Sequence, residues 1–230
     1  MYNFGSLLQQ ISIMALPAIF AITLHEAAHG FIASKLGDDT ALRAGRVTFN
    51  PIRHIDLFGT ILMPLFLFLI SSGSFLFGYA KPVPVNFGRL RHPRFDMVWV
   101  ALAGPGINIL LAIVAALLFY IAPIVPTVVR TWFLLNLRTA VEFNVLLAVF
   151  NMLPLPPLDG GRVAVGLLPR VLGYRLARVE PYGILIVVGF LFLLPWLGRE
   201  IHVNLDVFTT IVLWPTNEII GGIAWLTGLA

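Results

Sequence analysis

The chain contains no cysteine. That absence excludes disulfides, thiolate catalysis, iron–sulfur clusters and any zinc site built on sulfur. Charge is scarce as well: 11% of the 230 residues are Asp, Glu, Lys or Arg, against roughly 25% in an ordinary soluble domain. So few charges cannot cover a globule in water, and a disordered chain, which needs high charge and low hydrophobicity, is excluded too. What is present is apolar: 59% of residues are hydrophobic and the mean hydropathy is +0.92. The matching solvent is a lipid bilayer, and the expected fold class is an all-α polytopic membrane protein.

The formal charge of +4 does not point to nucleic acid. The basic residues lie in short segments between apolar runs, where membrane proteins keep their cytoplasmic Lys and Arg. The first apolar run lacks a basic leader and a cleavage site and carries ionisable groups, so it does not read as a removable signal.

About 20 apolar residues cross a bilayer as a helix. Five segments qualify: Leu7–Leu36, Met97–Ile121, Trp132–Leu153, the shorter Tyr182–Leu197, and Val207–Leu229, which Pro215, Asn217 and Glu218 interrupt. A sixth stretch, Leu57–Phe77, is broken by Pro64 and Ser71-Ser72-Gly73-Ser74. The expectation is about five to six transmembrane helices in a single domain over 1–230, with a core at 7–165 and C-terminal helices at 180–230. Val47, Thr48 and Phe49, followed by Asn50-Pro51, predict a small membrane-associated β-hairpin within 42–56.

Basic residues concentrate in loops 35–56, 78–96 and 160–180. If Leu57–Phe77 enters and returns on one side, all three loops share the cytoplasmic face, which places the N-terminus outside. The re-entrant reading is preferred.

His25-Glu26-Ala27-Ala28-His29 lies inside the first apolar run. Histidines at i and i+4 project from one helical face and can share a metal ion. Imidazole suits zinc, and Glu26 flanks the pair, placed to move a proton rather than to ligate. Ionisable residues inside a membrane span are costly and mark function by default. A catalytic zinc takes three protein ligands and keeps one open position. Asp159, after Asn151-Met152-Leu153-Pro154-Leu155-Pro156-Pro157-Leu158, is a candidate third ligand, with Glu142 and His54 as rivals.

Taken together, the histidine motif, Asn50-Pro51-Ile52-Arg53-His54, Ala80-Lys81-Pro82-Val83-Pro84-Val85-Asn86, Ala103-Gly104-Pro105 with Asn108, and Leu158-Asp159-Gly160-Gly161 resemble the site-2 protease family of intramembrane zinc metalloproteases. The closer likeness is to its compact prokaryotic members without PDZ or CBS domains. The resemblance runs from about residue 20 to 165; beyond 180 only hydrophobicity is shared. It implies His25, His29 and Asp159 as ligands of one Zn2+ per chain and Glu26 as catalytic base. It implies Asn151 as a candidate oxyanion donor, with an interhelical amide bond as the alternative. It suggests close helix approach for Gly104 and Asn108, and structural roles for His54 and Lys81. The implied substrate is a transmembrane segment of another protein, attacked from the cytoplasmic side of a prokaryotic cell membrane after unwinding, with the hairpin holding the unwound strand. The lipid bilayer is the other partner, nucleic acid is not expected, and the oligomeric state is left open. A zinc or proton transporter, or a non-catalytic scaffold, is the rival reading, but matched broken helices from inverted repeats are not visible.

Overall fold

The computed structural model describes residues 4–63, 66, 81–203 and 206–229. Its elements are α1 (Phe4–Lys35), the one-turn α2 (Thr40–Arg43), α3 (Pro93–Leu118), α4 (Thr127–Asn151), α5 (Asp159–Leu167), α6 (Arg170–Ala177), α7 (Gly183–Val188), α8 (Leu194–Glu200) and α9 (Trp214–Thr227). Three helical stretches are long and apolar enough to cross a membrane: Leu8–Lys35, Pro93–Ile124 and Thr127–Asn151. Residues 183–200 and 207–227 also run as helical rods, each with a π-helical turn inside. Among the described residues there is no strand.

The three long helices form the core, and their directions follow from side-chain contacts. Going along α1, His25 meets Asn108 and His29 meets Val100, so α3 runs against α1. Ser12 meets Trp132, and Asn108, which also reaches Ala21, meets Asn144, so α4 runs with α1. At the far end of α1 the Arg91 amide donates to Leu36 O at 3.0 Å. The chain therefore leaves α1 and enters α3 at one end of the bundle. The α4 terminus and α5 lie at that same end, because the Arg94 guanidinium at the start of α3 caps Gly166 O and Leu168 O at the end of α5.

Small residues let these helices approach closely, as bilayer-buried helices require. Ala112, Ala115 and Ala116 of α3 pack on Leu137, Val141 and Val145 of α4 and Ile223 of α9. The outer faces carry large apolar side chains such as Phe20, Trp99, Leu110 and Leu117. Buried inside are Thr23, His25, His29, Asn108 and Asn144. An apolar outside over a polar inside is the pattern of a lipid-exposed bundle.

The hairpin expected within 42–56 does not form. The segment bends at α2, again at Gly45 with φ +63°, and again at a 3-10 turn (Pro51–His54) in which the Asn50 side chain accepts from Ile52 N. Such bends leave no extended run to pair. The Arg46 guanidinium instead bonds Lys81 O at 2.7 Å, so a side chain makes the cross-link that a ladder was expected to make. The stretch 57–77, expected to be re-entrant, begins with a helical turn capped by Asp56, whose carboxylate accepts from Gly59 N at 2.7 Å. Residues 64–65 and 67–80 lie outside the described residues.

Candidate metal centre

Two turns of α1, the break after α4 and the start of α5 build the site. His25 and His29 occupy one face of α1 with imidazoles edge to face, centroids 4.7 Å apart. Asp159 opens α5, its carboxylate in the first turn, where the helix dipole favours negative charge. The loop 152–157 lies against Gly160 and Gly161 so tightly that a Cβ at either would strike its backbone. Those glycines let α5 start directly beneath the loop and turn Asp159 inward.

His25 Nε2 and His29 Nε2 stand 3.1 Å apart, and Asp159 Oδ2 lies 3.2 Å from the first and 3.3 Å from the second. A tetrahedral zinc with bonds of about 2.0–2.1 Å holds its ligand atoms roughly 3.3–3.4 Å apart. The spacing fits. The donor chemistry fits as well. Val100 O can only accept, so the 2.7 Å contact at His29 Nδ1 places the ring hydrogen there and leaves Nε2 as a bare lone pair. His25 Nδ1 makes the equivalent 2.6 Å contact with Asn108 Oδ1. Asp159 Oδ2 is buried with no hydrogen-bond donor. Three lone-pair atoms thus face one another in a buried place, which costs free energy unless a cation joins them.

Gly104 supplies the room. A Cβ there would lie 2.5 Å from His29 Nε2 and 2.6 Å from His25 Nε2, against the atoms that converge. The Gly104 motif was expected to help helices approach; the helix face it brings close is the one carrying both imidazoles.

Glu26, half-buried, points to the neighbouring strap 81–86, where its Oε2 accepts the Val83 amide at 2.7 Å. Val83 packs against α1 beside Gly30, at which a Cβ would meet Val83 Cγ1 at 3.0 Å. Lys81 N donates to His54 O at 2.9 Å, and His54 Nε2 lies 3.3 Å from Thr48 O. His54 and Lys81 therefore hold the strap, and His54 is not part of the ligand cluster. Glu142 is exposed and paired with Arg138 at 2.8 Å; it too lies apart from the cluster. The Asn151 side chain donates to Leu147 O, one turn back, at 2.9 Å. Among the described residues, the His/Asp/Glu group able to hold a metal ion is His25, His29 and Asp159.

Sequence reasoning missed Asn144 and the Val83 amide. Asn144 is one of several asparagines on an apolar helix, and the amide carries no side-chain signal.

Residues 127–195 match the model of peptidase family M50. The chain is 36% identical over 206 residues to the "Putative zinc metalloprotease YwhC" of Bacillus subtilis, covering 88% of this chain and 84% of that protein. It is 28% identical over 182 residues to the "Putative zinc metalloprotease Rip2" of Mycolicibacterium smegmatis, covering 79% of this chain and 66% of that one. No solved structure matches the chain.

Proposed function

This chain belongs to peptidase family M50, and from that premise we propose that it is an integral membrane zinc metallopeptidase. Its reaction is hydrolysis of a peptide bond within or near a transmembrane segment of another membrane protein. The observation that carries the reading is the meeting of His25 Nε2, His29 Nε2 and Asp159 Oδ2, all within 3.3 Å of one another.

His25, His29 and Asp159 are the residues that would hold the ion. When bound, zinc supplies Lewis acidity, polarising the scissile carbonyl and lowering the pKa of water to about 7. Glu26 has one carboxylate oxygen held by the Val83 amide; its other oxygen takes a proton from the attacking water and passes it to the leaving nitrogen. The water oxygen forms the new bond to carbonyl carbon, the C–N bond breaks, and the amine departs with that proton. Asn151 keeps one amide hydrogen beyond the one given to Leu147 O, and we assign it to the carbonyl oxygen as negative charge develops there. A helical substrate hides its carbonyls in i to i−4 bonds, so its segment must unwind before attack.

The arrangement of the bundle supports a topology. Lys35, Arg91 and Arg94 stand at the end where Asp159 opens α5, and the positive-inside rule supports a cytoplasmic placement of that end. The N-terminus is then outside and the site lies toward the cytoplasm. Leu36 and Arg91 meet at one end of the bundle, which supports the reading in which the chain between them leaves from and returns to one face. Tyr120 OH, just past α3, donates to Thr227 O at 2.7 Å, so 207–227 ends on the outer face where α3 ends. The chain from 183 to 227 thus adds one net crossing to the three of α1, α3 and α4 within one domain spanning 1–230.

The test is metal content and cleavage of a single-span model protein by purified wild type and Glu26→Gln. Both should hold one zinc per chain, while the variant cleaves about 10²–10⁴-fold more slowly. A wild type without metal, or a variant that cleaves at full rate, refutes the assignment.

A further inference from the structure

We propose that Asn108 and Asn144 are positioning residues that fix the His25 ring in the tautomer a metal ion needs. The proposal rests on the reading above, in which His25 Nε2 is a ligand.

A neutral imidazole carries its hydrogen on either nitrogen, and only the form with hydrogen on Nδ1 leaves Nε2 free to ligate. For His29 a backbone carbonyl settles this directly. His25 has no such carbonyl: its Nδ1 meets Asn108 Oδ1 at 2.6 Å, and a side-chain amide can flip to offer NH2 instead. A flipped Asn108 would donate to Nδ1, drive the ring hydrogen to Nε2, and aim it at Asp159.

Two further contacts bar that flip. Asn108 Nδ2 donates to Ala21 O at 3.2 Å and to Asn144 Oδ1 at 2.8 Å. After a flip, Asn108 Oδ1 would face two acceptors. Asn144 cannot turn to accommodate it, because its own Nδ2 donates to Ala140 O at 2.8 Å. Each end of the relay is thus a main-chain carbonyl, which never donates. Asn108 is 0% exposed and Asn144 3%, so bulk water does not reach them, and an unpaired polar group there is costly. The relay joins α4 to α3 to α1 and sets the hydrogen on a residue that Asn144 does not touch.

The rival account is that these amides only bind helices together. It predicts no effect on metal affinity beyond that of altered packing. The test measures zinc affinity by competition with a chromophoric chelator, on purified full-length protein in detergent, with helicity and apo-state melting followed for each variant. Asn108→Leu, near in volume but unable to accept, should weaken zinc binding about 10–100-fold. Asn108→Asp keeps an acceptor for His25 Nδ1 and should stay within about threefold of wild type. Asn144→Leu, which frees Asn108 to flip, should weaken binding by about three- to tenfold. Should Asn108→Leu fail to fold, Asn144→Leu and Asn108→Asp decide. The proposal is overturned if Asn144→Leu folds and binds zinc as wild type does, or if folded Asn108→Asp has lost tenfold or more. A wild type that binds no zinc, or a His25→Ala variant that binds it undiminished, instead removes the metal reading itself.

Discussion

Alanine at position 104 is the smallest change expected to disable the site. It leaves every ligand in place, yet its methyl would press on both imidazole Nε2 atoms. Zinc affinity of Gly104→Ala should fall about tenfold or more, as read by chelator competition, while Gly106→Ala, where a Cβ meets nothing within 4 Å, should bind normally. Legibility at this scale was uneven for a physical reason. His25, Glu26 and His29 share one helical turn, so their spacing alone places them together. Asp159 lies far along the chain, and its inclusion required the direction of α4 and a resemblance. Asn144 gave no such sign, because α4 also carries Asn136 and Asn151 and periodicity does not say which one faces α3.

At the scale of elements, the join between α1 and the strap depends on Asp38. Its carboxylate is fully buried; it accepts from Thr40 N at 3.1 Å, from the Thr40 hydroxyl, and from Asn86 N at 2.6 Å. Burial pushes its pKa up, but these donors outweigh burial and hold it below the usual carboxylate value of 3.8. A carboxyl with a depressed folded pKa contributes stability that is complete above its unfolded pKa. That contribution is lost as pH falls through the folded value. Thermal melting in detergent should therefore decline below about pH 4 for wild type, and Asp38→Asn should show a shallower decline. At neutral pH the variant should be less stable by about 1–3 kcal/mol, because a buried amide is left unpaired. The strands expected nearby did not form, although Val47, Thr48 and Phe49 are good strand formers. The turn at Gly45, the 3-10 turn that Asn50 caps and the reach of Arg46 decided the local path, and β propensity is weak against such tertiary contacts.

For the whole molecule, the lack of native cysteine makes a clean topology experiment possible. Single cysteines replacing Lys35, Arg91 and Arg175, each exposed, should react with a membrane-impermeant thiol reagent from the cytoplasmic face. A cysteine replacing Val128, at the start of α4 and 92% exposed, should react only from the opposite face. Reaction of residue 128 together with the other three overturns the orientation. Metal should also hold the bundle together, since the residues proposed to hold it come from α1 and α5. With free zinc at about 100 times its dissociation constant, the gain is roughly 2.7 kcal/mol, so chelation should lower the melting temperature of wild type and leave His29→Ala unmoved. The fold class was legible because composition determines the solvent, and the solvent determines that helices span it. The number of crossings was less so, since residues 183–200 are short and 207–227 carries Pro215 and Glu218.

The Pro82-Val83-Pro84 triplet has a consequence for self-protection. Proline has no amide hydrogen, the Val83 hydrogen goes to Glu26, and that of Lys81 goes to His54. From Lys81 to Pro84, then, the loop beside the site has no main-chain hydrogen left to offer a visiting chain. If the substrate is unwound polypeptide, as proposed above, the loop nearest to it is an unattractive partner, made so by two prolines and by two amides already bonded.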